Sequence, residues 1–307
     1  TDNVDILQFL GNNLIYRKDL LDGVNLDLLS KFEYHGINDK YIDYTKITWK
    51  GKKFDDDELE ENLNTSKRAE YVYENWKKLG QTRTLCFCSS IKHSDYMASF
   101  FESKGVKSIS MHSKSNSSRS DSIKKLKKKE IDILFCVDFF NEGVDIPAVD
   151  TILMARPTES KIIFLQQFGR GLRKAIGKEK VTIIDFIGNH KTFLDKPSAL
   201  LGFDFNYQNF RNFLKDYEEG KLKTPEGCRI LYDTESVDLM KKLSETKQDY
   251  LTLYSDYIVK NGERPSASEF HQFIDKLSQI RLNHSSWFGF LKDMNDLNEE
   301  EKNCFIK

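Results

Sequence analysis

From residue 83 onward, short apolar runs alternate with longer stretches in which apolar residues recur every three or four positions. The runs at 85–88, 108–111, 133–137, 151–154 and 181–186 predict strands, and 133–137 is short, bounded and apolar throughout, as a parallel strand covered on both faces requires. Residues 93–104, 118–129 and 160–174 predict helices. That alternation signals βαβ units and a parallel sheet. Upstream, Ala69, Val72, Trp76 and Leu79 mark one face of a helix over 68–79. The acidic run at 55–61 reads as a solvated face or helix N-terminus rather than a metal site. Beyond about residue 206 the chain is polar and helical, with breaks at Pro225-Glu226-Gly227 and at 261–265. Ser266 or Ser268 is expected to cap a helix through Phe270, Phe273, Ile274 and Leu277, packed by Trp287, Phe288, Phe290 and Leu291.

Two polar segments interrupt this pattern in a way that packing alone does not require. The strand at 133–137 runs into Asn141-Glu142-Gly143-Val144-Asp145-Ile146-Pro147, where Gly143 permits a tight backbone and Pro147 bars a helix. This is a loop at the carboxyl end of a strand, the edge at which open α/β sheets bind ligands. In the helix over 160–174, Gln166, Arg170 and Arg173 are spaced four and three apart, which puts them on one face. Two arginines so placed suit an oxyanion such as phosphate, because each guanidinium is a planar fork of donors that stays charged. Both are expected at the carboxyl edge of the sheet. Gly169 costs that helix about 1 kcal/mol relative to alanine, so the bare backbone points to the close approach of a partner.

These residues resemble the motifs of superfamily-2 helicases. Gln166-x-x-Gly169-Arg170-x-x-Arg173 is similar to their motif VI, Val137-Asp138 with 141–147 to motif V, and Phe87-Cys88-Ser89-Ser90 to motif IV. More narrowly, LQQFGRGLRK and DFIGNH resemble the C-terminal half of bacterial restriction-type DEAD/DEAH-box helicases that carry a C-terminal domain of unknown function. The resemblance covers nearly the whole chain and implies a RecA-like parallel sheet flanked by helices, followed by a mostly helical C-terminal extension. It divides the chain into 1–65, the tail of a missing first motor domain and a linker; 66–200, the second RecA-like domain; and 201–307, the helical domain of unknown function. It further implies that Arg170 and Arg173 act as arginine fingers on ATP and that Gly143, Asp145, Gln166 and Gly169 meet the nucleotide. Ser90 and Asp138 then face nucleic acid. Ser90 also reads as a helix N-cap, a role compatible with that contact. Val137 stands where many relatives place a threonine before the motif V aspartate, so one hydroxyl contact to the nucleic-acid backbone is lost.

Composition narrows the reading. The chain has 307 residues, with 31% charged and 39% hydrophobic, and no apolar run long enough to span a bilayer, which suits two soluble domains. At a net charge of −1, any nucleic-acid surface has to be a local patch. The densest basic stretch is Lys114, Arg119, Lys124, Lys125, Lys127, Lys128 and Lys129. With Ile123 and Leu126 turned inward it reads as a solvated face, phosphate contact being the alternative. Cys86, Cys88, Cys136, Cys228 and Cys304 form no CxxC pair and read as free thiols in a reducing cytosol, and the histidines lack ligand spacing, so no metal site is expected.

No GxxxxGK[ST] occurs: Gly51-Lys52-Lys53 lacks the context, and no DExH follows a strand. ATP and Mg2+ are therefore expected to be held mainly by the missing first RecA-like domain of the same, longer protein, a view that a chain starting at Thr1 suits. The expectation is a cytoplasmic motor half that works on nucleic acid, DNA favoured over RNA, with no membrane partner. The alternative is a catalytically inert nucleic-acid-binding or scaffold module that retains the fold, its arginines paired with acids such as Glu142 or Asp145.

Overall fold

The structure is a computed structural model that describes residues 19–51, 53–115, 118–137, 146–158, 160–203, 205, 207–245, 250–273, 284 and 286–305. The chain opens with α1 (Leu20–Asn25), β1 (Lys31–Asn38), α2 (Asp56–Leu63) and α3 (Ser66–Leu79). Then come β2 (Thr84–Phe87), α4 (Ile91–Ser103), β3 (Ser108–Met111), α5 (Arg119–Lys127), β4 (Ile133–Cys136) and β5 (Thr151–Met154). After α6 (Lys161–Gly171), β6 (Lys180–Ile187), α7 (Asp195–Leu201) and α8 (Tyr207–Glu218), a last strand β7 (Arg229–Tyr232) precedes α9 (Thr234–Glu245). The tail is α10 (Tyr250–Asn261), α11 (Ala267–Phe273), α12 (Trp287–Asp293) and α13 (Glu299–Phe305).

The strands make one seven-stranded sheet in the order β3-β4-β2-β5-β6-β1-β7, and every pairing is parallel. The parallel sheet is the one the sequence pattern predicts, and with its flanking helices it is the RecA-like α/β architecture that the helicase resemblance implies. β2, β4 and β5 are buried at all four positions because helices cover both faces. Successive residues serve opposite cores. Leu85 and Phe87 join a layer with Phe164 and Phe168 of α6, Ile123 and Leu126 of α5 and Leu200 of α7. Cys86 and Cys88 join another with Ala69 and Val72 of α3 and Met97 and Phe101 of α4.

Two strands stand where the sequence analysis has none. Lys31–Asn38, assigned there to a linker, is an internal strand paired with β6 on one side and β7 on the other. β7 itself comes from the stretch read as helical. Lys31, Glu33 and His35 disguise β1 as loop: Glu33 accepts from Lys180 at 2.7 Å and meets His35 at 2.8 Å, while Phe32 and Tyr34 are buried. In the C-terminal part, α8 and α9 close on Phe210, Phe213, Leu214 and Met240, and α10 to α12 on Tyr254, Phe270, Phe290 and Leu291. Ser266 is the residue that caps α11, its Oγ accepting from Glu269 N at 3.2 Å. Trp287 packs on Phe270, whereas Phe288 points outward. Ile274 and Leu277 lie outside the described residues.

His190 follows β6 in a box of aromatic rings, 4.8 Å from Trp49 and 4.9 Å from Phe54 between centroids. Burial, and secondarily the charge of Lys191, push its imidazole down from 6.5 to about 4. The unfolded chain therefore takes up a proton at higher pH than the folded one, so this site's contribution to stability is present above 6.5 and is lost as pH falls towards 4. Melting temperature followed from pH 7 to pH 4 is expected to fall less steeply in a His190→Gln variant; parallel curves would contradict this.

Candidate functional site

α6 packs its Phe164, Gln167, Phe168 and Gly171 inward, a spacing of three and four that leaves Gln166 exposed and Arg170 half-buried on the outer side. Its last turn is pressed onto the starts of strands. A Cβ at Gly171 would lie 2.7 Å from Val181 Cγ1 and 2.9 Å from Ile152 Cγ1, and Ser30 N, just before β1, donates to Leu172 O at 2.7 Å. The arginine pair is therefore at the amino edge of the sheet. The expectation of a carboxyl-edge position is corrected by this packing: a helix that follows a parallel strand runs back along the sheet, and the pair lies at its far end.

A second correction concerns Arg173. α6 ends at Gly171 with Leu172 as its cap, so Arg173 is past the helix and exposed rather than one turn beyond Arg170 on a shared face. Two glycines in the last turn weaken the helix there. The carbonyl of Arg173 is held instead by Ser30 Oγ at 3.2 Å and by Lys178 Nζ.

The two glycines of motif VI have opposite environments. At Gly169 an added Cβ meets nothing within 4 Å, so nothing within the described fold demands a bare backbone there, whereas Gly171 is required by its close approach to β5 and β6. Sequence reasoning singled out the first and missed the second. Gly171→Ala is expected to destabilise the chain by about 1 to 3 kcal/mol through overpacking. Gly169→Ala is expected to stabilise it by up to about 1 kcal/mol through helix propensity. Urea unfolding of the two variants checks this, and shifts of the same sign would contradict it.

Ser90 is at the other edge, where β2 ends and α4 begins. Its Oγ accepts from His93 N at 3.1 Å, the N-cap role, and its hydroxyl donates to Glu60 of α2. Glu60 also pairs with Lys92 at 3.0 Å. Burial works against the charge on Glu60, yet the bonds from Ser90 and Lys92 hold its carboxyl below the ordinary range. A carboxylate thus occupies the Ser90 hydroxyl and the Lys92 ammonium at the start of α4, and its position in the acidic run gave no hint of this. Below it, Arg68 of α3 is fully buried, donating to Asp39 Oδ2 at 2.9 Å and to Ala155 O at 2.9 Å. The lysine-rich α5 ends at the amino edge, where Arg83 Nε donates to Lys127 O at 3.3 Å, away from Ser90.

Asp138, Gly143 and Asp145 lie outside the described residues, as does Glu142. Among the described residues no group of three or more His, Cys, Asp or Glu side chains could hold a metal ion. Cys86, Cys88, Cys136 and Cys228 are buried thiols outside any disulfide. No helix among the described residues is long and apolar enough to cross a membrane.

Comparison with known proteins matches residues 66–175 to the helicase conserved C-terminal domain. A Saccharomyces cerevisiae protein named as the ATP-dependent helicase IRC3 is 23% identical over 93% of this chain and 45% of its own length. The ATP-dependent DNA helicase MPH1 of Debaryomyces hansenii is 28% identical over 48% of this chain and 14% of its own length. Among solved structures, a fragment of an HsdR subunit of a type I restriction enzyme from Vibrio vulnificus covers 75% of this chain and 41% of that chain at 22% identity, with a TM-score of 0.49. The chain spans less than half the length of the curated relatives it matches.

Proposed function

We propose that the chain is the C-terminal motor half of an ATP-dependent nucleic-acid helicase or translocase, a reading supported by the match of residues 66–175 to the helicase conserved C-terminal domain. The observation that carries the reading is the motif VI segment at the amino edge: Gln166, Arg170 and Arg173 beside Gly169, whose bare backbone leaves open space. Arg170 and Arg173 act as arginine fingers on the γ-phosphate of ATP, with Gln166 and Gly169 against the nucleotide and Gly143 and Asp145 linking it to the track. The phosphate cradle and Mg2+ come mainly from an N-terminal RecA-like domain. Ser90 and Asp138 face nucleic acid at the carboxyl edge, and DNA is favoured by the relative named as a DNA helicase.

On this reading the two edges divide the work. Closure of the N-terminal domain onto the amino edge brings the guanidiniums to the charge that develops on the phosphoryl group, which is electrostatic stabilisation by groups already oriented. The carboxyl edge meanwhile holds the strand, and the sheet transmits each opening and closing to it.

Nucleic-acid binding by this chain alone tests the second part. Glu60 competes for Ser90 and the net charge is −1, so binding is expected to be weak and salt-sensitive. About four phosphate contacts to a single strand would give roughly a 50-fold loss between 50 and 200 mM salt. Fluorescence anisotropy with labelled single strands reads it. Tight, salt-insensitive binding would move the contact surface elsewhere.

A further inference from the structure

The segment that carries the arginines is fastened by one ammonium. Lys178 Nζ lies 2.9 Å from Gly171 O, 2.7 Å from Pro147 O and 3.2 Å from Val149 O and also meets Arg173 O, so that four carbonyls share its three N–H donors. Two of these carbonyls flank Leu172 at the end of α6. The other two belong to the segment that leads from motif V into β5. A turn between Ala175 and Lys178, with Gly177 at φ 75°, folds the lysine back beneath the helix end.

A helix end leaves carbonyls without intrahelical donors, and their partial negative charge attracts a cation. Many helices solve this with a left-handed glycine just past the end. Here Leu172 is right-handed, at φ −81° and ψ −6°, and the lysine does the work instead. Apart from Lys178, the Arg173 carbonyl has Ser30 Oγ, and Ser30 N holds the neighbouring Leu172 carbonyl. Without the ammonium, the stretch after Gly171 keeps the bonds from Ser30 and the Lys174–Asp27 ion pair, but it loses its hydrogen-bonded link to the carbonyls of Pro147 and Val149 that follow motif V.

We propose that Lys178 is the positioning residue of Arg173, fixing the backbone from which that arginine reaches the phosphate and coupling it to the end of motif V at Pro147. The inference rests on the reading of Arg170 and Arg173 as fingers. A misplacement of about 1 Å at a reacting group costs on the order of 100-fold in rate, so a small release of this segment has a large kinetic effect.

Steady-state ATP hydrolysis by the longer protein, with saturating nucleic acid, tests it. Lys178→Met is expected to lower kcat about 10- to 100-fold with the KM for ATP changed by less than about threefold. Lys178→Arg, which keeps a charged donor, is expected to recover most of the loss. The combination with Arg173→Ala is the deciding measurement: a lysine that acts through Arg173 adds nothing further, so the double variant is as slow as Arg173→Ala alone. Multiplied losses, or a KM change as large as the kcat change, would overturn the assignment. Should Lys178→Met not fold, Lys178→Gln takes its place with the same expectations. Normal turnover in Arg173→Ala would sink the finger reading itself; a slow Arg173→Ala beside a normal Lys178→Met would sink only the inference.

Discussion

Arg170→Ala and Arg173→Ala, each made in the longer protein, are expected to lower kcat for ATP hydrolysis by about 10³- to 10⁵-fold while leaving ATP affinity nearly unchanged. That is about 4 to 7 kcal/mol of transition-state stabilisation. The asymmetry follows from placement. The chain contains no GxxxxGK[ST] sequence, so on the proposed reading ground-state grip on ATP belongs to the other half, and the arginines meet the nucleotide only when the halves close. A guanidinium cannot lose its charge and presents its donors in a fixed plane, which suits the equatorial oxygens of a phosphoryl group in transfer. Arg173 is exposed, so its removal should change folding stability by less than about 0.5 kcal/mol. Comparing kcat, nucleotide affinity and melting temperature for each variant checks all three statements. Loss of stability with turnover preserved per folded molecule would make the arginines structural.

The largest effect on folding is expected at Arg68. Its side chain is fully buried, with Nε 3.1 Å and Nη2 2.9 Å from Asp39 Oδ2, and Nη2 also donates to Ala155 O. Tyr44 OH completes the carboxylate at 2.9 Å. Arg68 thus ties the carboxyl ends of β1 and β5 to α3. Arg68→Met leaves Asp39, itself buried, without its counter-charge, and removing one partner of such a pair costs about 3 to 5 kcal/mol. At this chain length that corresponds to roughly 5 to 8 °C in melting temperature. Removing both charges is a different matter. Asp39→Leu with Arg68→Met leaves no orphaned ion, so the double variant is expected to be more stable than Arg68→Met alone. A melting series over the two single variants and the double one reads this, and additive losses would contradict it.

What the sequence made legible follows from how each element is stabilised. β3 and β5 match the predicted runs residue for residue because a short, bounded apolar run has few other solutions. β1 was hidden because its polar residues pair along the sheet's edge region with Lys180 and with each other, so its pattern is that of a loop until its neighbours are known. The motif VI residues were found by spacing, but their edge of the sheet was not, since periodicity gives the face of a helix and not its direction in the fold. Lys178 and Glu60 carried no signal: one is a lysine in a charged turn, the other a glutamate in an acidic run, and only tertiary contacts reveal what each holds. Gly171 could have been suspected from the same argument applied to Gly169, because both weaken one helical turn. The structure separates them by asking what a methyl group would strike.

The most direct test of the account is ATP hydrolysis by this chain alone, set against the longer protein containing it, each with and without single-stranded DNA. The account predicts no turnover by the 307-residue chain under any condition and nucleic-acid-stimulated turnover by the longer protein. Nucleic-acid-stimulated hydrolysis by the chain alone, persisting through further purification, would contradict it.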